Sequence, residues 1–140
     1  MRFMIIVKAT KGTEAGVLPT DGTLMEEMAA YHEALAKAGA LLDGSGLQPS
    51  AKGWRIKYNG DKRSVTDGPF TETKELIAGY TLIQVKSREE AMEWARRFPN
   101  PSLDGGEAEI EIRQLYELED FTPGDGVDRF RELGIGGEKK

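Results

Sequence analysis

The side chains best suited to proton transfer in this sequence are its single histidine and the carboxylates near the middle of the chain. A neutral imidazole accepts a proton near pH 7, and a carboxylate can orient the ring, so His32 with Asp67 could form a general base. The chain contains no cysteine, which excludes disulfides, thiol nucleophiles and cysteine-bound zinc. With one histidine, a zinc site would have to be rich in carboxylates or shared between subunits. We therefore predict neither a metal nor a cofactor.

Two interpretations of His32 stay open. The residue falls beside the apolar face of a predicted helix, next to Met28 and Leu35, where a histidine is commonly a hydrogen-bonded packing residue. In the other interpretation it is a catalytic base that a carboxylate orients. The geometry separates the two, because only the second needs a carboxylate within hydrogen-bond distance of the ring.

The segment Asp67-Gly68-Pro69-Phe70 has the composition of a tight corner. Aspartate bonds to backbone just after it, glycine accepts unusual φ values and proline fixes the next dihedral angle. The structural interpretation is a rigid corner that Phe70 anchors in the core. The functional interpretation is that Asp67 or Glu72 faces a cleft, because loops held on rigid scaffolds often carry function.

We predict the site in a cleft between the first helix and this corner. His32 and Asp67 are the catalytic candidates, and the ligand-binding candidates are Trp54, Tyr58, Phe70, Glu72 and Tyr80. Pockets in small folds are mostly apolar with a few polar groups, so the rings of Trp54, Tyr58 and Phe70 would form its walls. The structural alternative is that Tyr31, Tyr58, Tyr80 and Trp54 are core side chains with a polar tip in water.

Two capping patterns predict the helices that flank this cleft. Thr23, with Glu26 three residues later, predicts the start of a helix that carries His32. Ser87, with Glu90, predicts the start of a second helix in the same way. Each hydroxyl and each carboxylate would bond to backbone amides that the first turn leaves free.

Short apolar or alternating runs predict the strands. Asn59-Gly60 between two alternating runs predicts a hairpin with a type I′ turn, in which both turn residues have positive φ. The predicted strands are residues 3–7, a segment that begins at 40, residues 54–58, 62–66, 79–86 and 108–113.

The resulting order predicts an α+β, ferredoxin-like βαββαβ fold with an inserted β-hairpin. Two helices cover one face of such a sheet, yet residues 3–7 and 80–85 are apolar on both faces. An uncovered apolar sheet face is typical of an interface, so we predict a homodimer through the sheet face. Residues 1–120 would form this domain, and residues 121–140 a tail with one short helix.

The Asp-Gly-Pro-Phe string, followed by Thr-Glu-Thr-Lys-Glu and then Gly79-Tyr80, resembles the DGPF group of YCII-related proteins. Further matching stretches are Ala38-Gly39, Gly44-Ser45-Gly46-Leu47, Pro49-Ser50, Glu89-Glu90-Ala91, Pro99-Asn100-Pro101 and residues 109–113. The resemblance spans roughly residues 1–120. It implies a dimeric α+β barrel, in which two ferredoxin-like subunits place sheet against sheet.

The resemblance also bears on function. Some relatives in the wider YCII group are similar to small lyases that use a His–Asp pair, and DGPF proteins often accompany extracytoplasmic-function sigma factors. Aligned at Ala38-Gly39, the histidine of that pair falls near Met28, about one turn before His32. The resemblance thus implies a small-molecule-binding or accessory protein, with a cofactor-independent lyase or hydrolase using His32 and a carboxylate as the alternative.

Composition excludes other classes of partner. The net charge is −5, which argues against direct binding of nucleic acid, because that affinity rests on clustered Lys and Arg. No apolar window approaches the roughly 20 residues of a membrane helix, and the N-terminal apolar run is too short for a signal peptide. We expect a cytoplasmic protein whose partners are a second copy of itself and a small molecule.

Overall fold

An antiparallel sheet of four strands forms the centre of the fold in the computed structural model, which describes residues 1–137. The strands of the chain are β1 (Arg2–Lys8), β2 (Leu41–Gly46), β3 (Trp54–Asn59), β4 (Lys62–Asp67), β5 (Ile77–Gln84) and β6 (Ile110–Gln114). The helices are α1 (Lys11–Glu14), α2 (Thr23–Lys37), α3 (Arg88–Arg96) and α4 (Asp125–Glu132). None of the helices in residues 1–137 is long and apolar enough to cross a membrane.

The order of strands identifies the topology. In the four-stranded sheet it is β2-β5-β1-β6, so the first strand lies between the third and fourth strands of the βαββαβ unit. The remaining strands, β3 and β4, pair only with each other and form a separate two-stranded sheet. The predicted ferredoxin-like α+β fold with an inserted hairpin is therefore confirmed. Within one chain the sheet is open and does not close into a barrel.

Both long helices pack on one face of the sheet. Alternation along β1 turns Phe3 and Ile5 toward the helices, where they join Ile83 of β5. Tyr31 and Leu35 of α2 and Ala91 and Trp94 of α3 complete this core. On the other face, Met4 lies opposite Leu82 and Ile6 opposite Tyr80. We call these four residues the open sheet face.

The start of α2 differs from the capping box predicted at Thr23. The N-cap residue is Gly22, which has a φ of 80° and no side chain to bond the helix. Asp21 replaces the missing cap, because its Oδ1 accepts a bond of 3.0 Å from the backbone N–H of Thr23. At α3 the hydroxyl half of the predicted capping box is confirmed: the Ser87 hydroxyl accepts from the Glu90 N–H at 3.1 Å. The Glu90 carboxylate accepts at 2.9 Å from the N–H of Lys86, outside the helix, instead of that of Ser87.

The hairpin is present, but its turn lies one residue later than predicted. Asn59 is the last residue of β3 and pairs with Lys62, so the turn consists of Gly60 and Asp61. Gly60 has a φ of 65°, whereas Asn59 keeps its strand conformation. The conformational freedom of glycine is thus used at the first turn residue only.

The chain after β6 turns back toward the start of the domain. Arg2 donates to Glu117 at 3.0 Å, and the Leu118 N–H donates to the Gly136 carbonyl at 2.9 Å. The structure has a short helix in the predicted tail, α4, whose residues are largely exposed. Residues 138–140 of that tail lie outside the described residues.

Candidate functional site

His32 is held between α2 and the sheet by both of its ring nitrogens. Nδ1 lies 2.7 Å from the Met28 carbonyl oxygen, and Nε2 lies 2.9 Å from the hydroxyl of Thr81 on β5. A carbonyl only accepts, so Nδ1 carries a proton, and in the neutral tautomer Nε2 accepts from the Thr81 hydroxyl. The two bonds fix the tautomer and the plane of the ring, which is the geometry that the packing interpretation of His32 predicts.

The rings around His32 are apolar. Tyr31 meets the imidazole edge-on with 5.5 Å between ring centroids, and Phe98 does so at 6.4 Å. The Tyr31 hydroxyl donates to the Trp94 carbonyl at 2.7 Å. Burial raises the pKa of Tyr31 to about 12, and the charge of Arg97 acts in the opposite direction. Tyr31 is therefore a neutral packing residue that ties α2 to α3.

Within one chain, the predicted catalytic pair is not formed. Asp67 ends β4, is exposed, and makes no side-chain hydrogen bond or ion pair with the described residues. Both ring nitrogens of His32 have other partners, so neither Asp67 nor Glu72 orients it. The catalytic assignment of His32 and Asp67 stays a prediction, but a single chain does not supply its geometry.

The other predicted site residues divide into two groups away from His32. Tyr80 donates to Asp43 at 3.2 Å on the open sheet face, whereas its neighbour Thr81 bonds His32 on the helix face. Glu72 instead pairs with Arg55 at 3.4 Å. Tyr80 and His32 consequently lie on opposite faces of the sheet and cannot line one cleft within one chain.

The aromatic residues predicted as walls belong to the hairpin and its corner. Trp54 and Tyr58 are exposed on β3, and Arg63 lies over the Tyr58 ring at 4.9 Å. Phe70 is half-buried, and the Cζ atom of Arg55 lies 3.8 Å from the centroid of its ring. Phe70 does not belong to the core cluster. The expectation that Phe70 fills the core is wrong, because this corner is held by polar contacts.

These polar contacts centre on Ser50. Its N–H donates to Glu14 Oε1 at 3.0 Å, its hydroxyl donates to the other oxygen of Glu14, and the hydroxyl accepts from the Phe70 N–H at 3.0 Å. The Gly68 N–H donates to the Gly53 carbonyl at 3.0 Å. A Cβ on Gly68 would lie 1.8 Å from the Ser50 carbonyl oxygen. Glycine is therefore required here, and the motif performs the structural task of seating the hairpin.

A groove between α3 and β6 has a volume of about 520 Å³. We call it the α3–β6 groove. Its lining residues are Phe3, Arg88, Ala91, Met92, Ala95, Arg96, Ile110, Ile112, Arg113 and Gln114. Phe3 and Ala91 are buried and form an apolar floor. Small alanine side chains on α3 leave the space that a larger residue would fill.

Three guanidinium groups and no carboxylate belong to the lining of the α3–β6 groove. Arg88 makes no ion pair with a described residue. Arg96 pairs with Glu93 at 3.6 Å and Arg113 with Glu111 at 3.2 Å, both on the surface. The hydrogen bond from Arg113 and the charge of Lys8 lower the pKa of Glu111. Exposed ion pairs of this kind are weak, so an anionic ligand can compete for the arginines.

Sequence reasoning missed this groove. Arg88 and Arg96 lie two turns apart on α3, and Arg113 lies on a different element, so no local motif joins them. The available signal was the pair Ala91 and Ala95, which is small and one turn apart, with arginine on either side. That pattern leaves room for a ligand only if a strand edge lies beside the helix, which depends on the tertiary fold.

Comparison with known proteins places the chain in a family. Residues 1–117 match the sequence profile of the YCII-related domain. An uncharacterized protein of Rhizobium meliloti (strain 1021), R00369, is 30% identical over 105 residues, which cover 75% of this chain and 85% of that protein.

Among solved structures, the chain is similar to 5-chloro-2-hydroxyhydroquinone dehydrochlorinase (TftG) from Burkholderia phenoliruptrix AC1100, in complex with 2,5-dihydroxybenzoquinone. The TM-score is 0.45 at 15% identity, with 84% of this chain and 95% of that chain covered. The sequence match over residues 1–117 includes every strand of the sheet and the hairpin. The chain is a member of the YCII-related domain family.

Proposed function

We propose that this YCII-related protein binds a small organic anion with an apolar body in the α3–β6 groove, and that it does so without chemical turnover. The observation that carries the proposal is the combination of a buried apolar floor with three arginines in one groove. Guanidinium groups bind carboxylate and phosphate oxygens in a bidentate manner, and an apolar floor accepts a hydrocarbon or aromatic body. A volume of about 520 Å³ is in the range of small-molecule sites.

The state of His32 supports binding over the catalytic alternative, a cofactor-independent lyase or hydrolase. A general base must offer a free nitrogen to substrate, whereas Nε2 of His32 is bonded at 2.9 Å to the hydroxyl of Thr81, a residue that is 3% exposed. The carboxylate that would orient the ring is absent from its hydrogen bonds. Substrate would have to break the bond to Thr81 before His32 could act.

The open sheet face supports a homodimer as the functional form. Met4 and Leu82 present half-buried apolar side chains on a face that neither α2 nor α3 covers, and Ile6 on the same face is buried. Burying such a face in a second subunit removes it from water, which is the main favourable term in protein association. The association of DGPF proteins with sigma factors favours an accessory role for such a ligand-binding dimer.

Calorimetric titration with octanoate, and with 1-octanol as the uncharged probe of equal chain length, tests the anion requirement. We expect octanoate to bind and octanol to bind at least about tenfold more weakly, which corresponds to about 1.4 kcal/mol. The double variant Arg88→Gln/Arg113→Gln should weaken octanoate by a similar factor and leave octanol unchanged. Both side chains are on the surface, so the free energy of unfolding should change by less than about 1 kcal/mol.

The matched control is Arg129→Gln/Arg131→Gln on α4, which removes the same charge from the chain. Arg129 and Arg131 pair with Asp125 and Asp128 and line no part of the groove. Octanoate affinity in the control should equal that of the wild type. Failure of octanoate to bind, or equal weakening in both double variants, would contradict the proposed site.

A further inference from the structure

The hairpin exposes a largely apolar face, on which Arg63 over the Tyr58 ring is the one described contact from its own chain. Every residue of β3 and β4 is exposed. Alternation places Trp54, Ile56 and Tyr58 of β3 on one side, and Val65 lies opposite Ile56 on the same side. These four large side chains are between 43% and 64% exposed. We call them the hairpin apolar face.

We expect this face to be covered in the functional protein. An isolated two-stranded hairpin is marginally stable in water, because it lacks a third layer on which to bury apolar side chains. The hydrogen bonds among Ser50, Glu14 and Phe70 hold the base of the hairpin, but they involve no residue of the hairpin apolar face. The face must therefore gain its stability from a surface outside the subunit described.

The distribution of charge indicates which surface that is. Four of the 19 basic residues and two of the 24 acidic residues lie in residues 54–67, so the hairpin carries +2 and the rest of the chain carries −7. Two hairpins would repel each other if they packed face to face. A hairpin packing on the acidic body of a second copy is instead attracted to it.

We propose that the hairpin is an intersubunit arm whose apolar face packs on the body of a second copy of this chain. The inference rests on the homodimer of the proposed function, and it adds a second contact to the open sheet face. The arm would carry Trp54 and Tyr58 to the partner subunit. This would explain why Gly68 and the bonds between Ser50 and Glu14 hold the base of a hairpin that has no other support in its own chain.

The cysteine-free chain permits a direct test by single-cysteine labelling. Val65→Cys places a thiol on the hairpin apolar face, and Thr66→Cys places one on the opposite face of the same strand, both exposed within a subunit. Maleimide labelling rates are measured under reducing conditions, together with sedimentation velocity, and are normalised to the rates in urea. We expect Val65→Cys to react about tenfold more slowly than Thr66→Cys in the dimer and at an equal rate after dilution to monomer.

Two results overturn the inference. Equal labelling rates in a sample that sediments as a dimer show that the arm is free, while the sheet-face dimer and the groove remain standing. Protection of Val65→Cys that persists in a monomer shows that its own chain covers the face. Octanoate titration of the same samples reads the α3–β6 groove independently, so failure of the arm and failure of the proposed function are distinguishable.

A second pair of variants tests the apolar character of the contact. Ile56→Glu/Val65→Lys replaces a cross-strand apolar pair with an ion pair of zero net charge, which keeps the hairpin paired. The control Lys57→Ser/Ser64→Lys exchanges a cross-strand pair on the opposite face, also without a change of charge. The first variant should raise the dimer dissociation constant at least about tenfold and the control should not. Equal dissociation constants contradict the arm.

Discussion

Replacing Gly68 by alanine is the sharpest test of how the corner is built. An added Cβ would lie 1.8 Å from the Ser50 carbonyl oxygen and 2.6 Å from its carbonyl carbon. Both atoms are backbone, so no side-chain rotation relieves the overlap. The corner has to separate from residues 49–51, which breaks the bonds from Gly68 to Gly53 and from Phe70 to Ser50.

The expected loss follows from these contacts. Each of the two hydrogen bonds contributes about 1 kcal/mol, and the overlap itself costs about 1–3 kcal/mol when the backbone shifts. We expect Gly68→Ala to lower the free energy of unfolding by about 3–5 kcal/mol. Gly53→Ala is the matched control, because its Cβ would meet the same Ser50 oxygen at 3.7 Å, an ordinary contact. It should change stability by less than about 0.5 kcal/mol.

Urea unfolding followed by circular dichroism measures both variants, and amide exchange reports on the corner itself. The Phe70 N–H should exchange faster in Gly68→Ala than in the control, since it loses the Ser50 hydroxyl as acceptor. If the two variants unfold at the same urea concentration and the Phe70 amide is equally protected in both, the corner is not held as described.

Three further predictions concern single side chains. Asp67→Asn should alter the free energy of unfolding by less than about 0.5 kcal/mol in urea, because the exposed carboxylate has no partner among the described residues; a larger loss would show that its charge matters. Thr81→Val removes the partner of His32 Nε2 and should cost about 1–2 kcal/mol in the same assay, with octanoate affinity unchanged if binding is in the α3–β6 groove. Burial raises the pKa of Tyr31 to about 12, so the folded state keeps a proton that the unfolded chain releases near 10.0. The stability that the buried Tyr31 contributes is fully present below pH 10 and is lost as the pH rises from 10 to 12. Over that range the free energy of unfolding should fall by up to about 2–3 kcal/mol more in the wild type than in Tyr31→Phe. Equal pH profiles of urea unfolding in the two proteins would contradict this.

The fold was predictable because short stretches of the sequence determine its helices and strands. Alternation in residues 54–58, helical spacing around Tyr31 and Leu35, and the Ser87 cap each determine structure over a few residues. The order of those elements then leaves few topologies for an α+β chain of this size. Two details failed, and each was a choice between neighbouring residues. Asp21 bonds the Thr23 amide from outside the helix and makes the hydroxyl cap unnecessary. The hairpin turn lies at Gly60 and Asp61, because Asn59 pairs with Lys62.

The site was less predictable because sites depend on distances between elements. The prediction joined His32, Asp67 and Tyr80, which lie on a helix, an outlying hairpin and the far face of a strand. Adjacent residues Tyr80 and Thr81 point to opposite faces, so only one of them can meet His32, and it is Thr81. Arg88 and Arg113 both line the α3–β6 groove. They lie on different elements, so no local sequence pattern predicts that they share a site.

The measurement that tests the central claim most directly is a map of backbone amide shifts as octanoate is added to the labelled protein. Binding in the α3–β6 groove predicts the largest shifts at Ala91, Ile110 and Ile112, saturating together at one dissociation constant. The amides of Tyr80 and Thr81 should move little. The largest shifts at Tyr80 and Thr81, or no saturable shift at any residue, would contradict the claim that this groove is the ligand site.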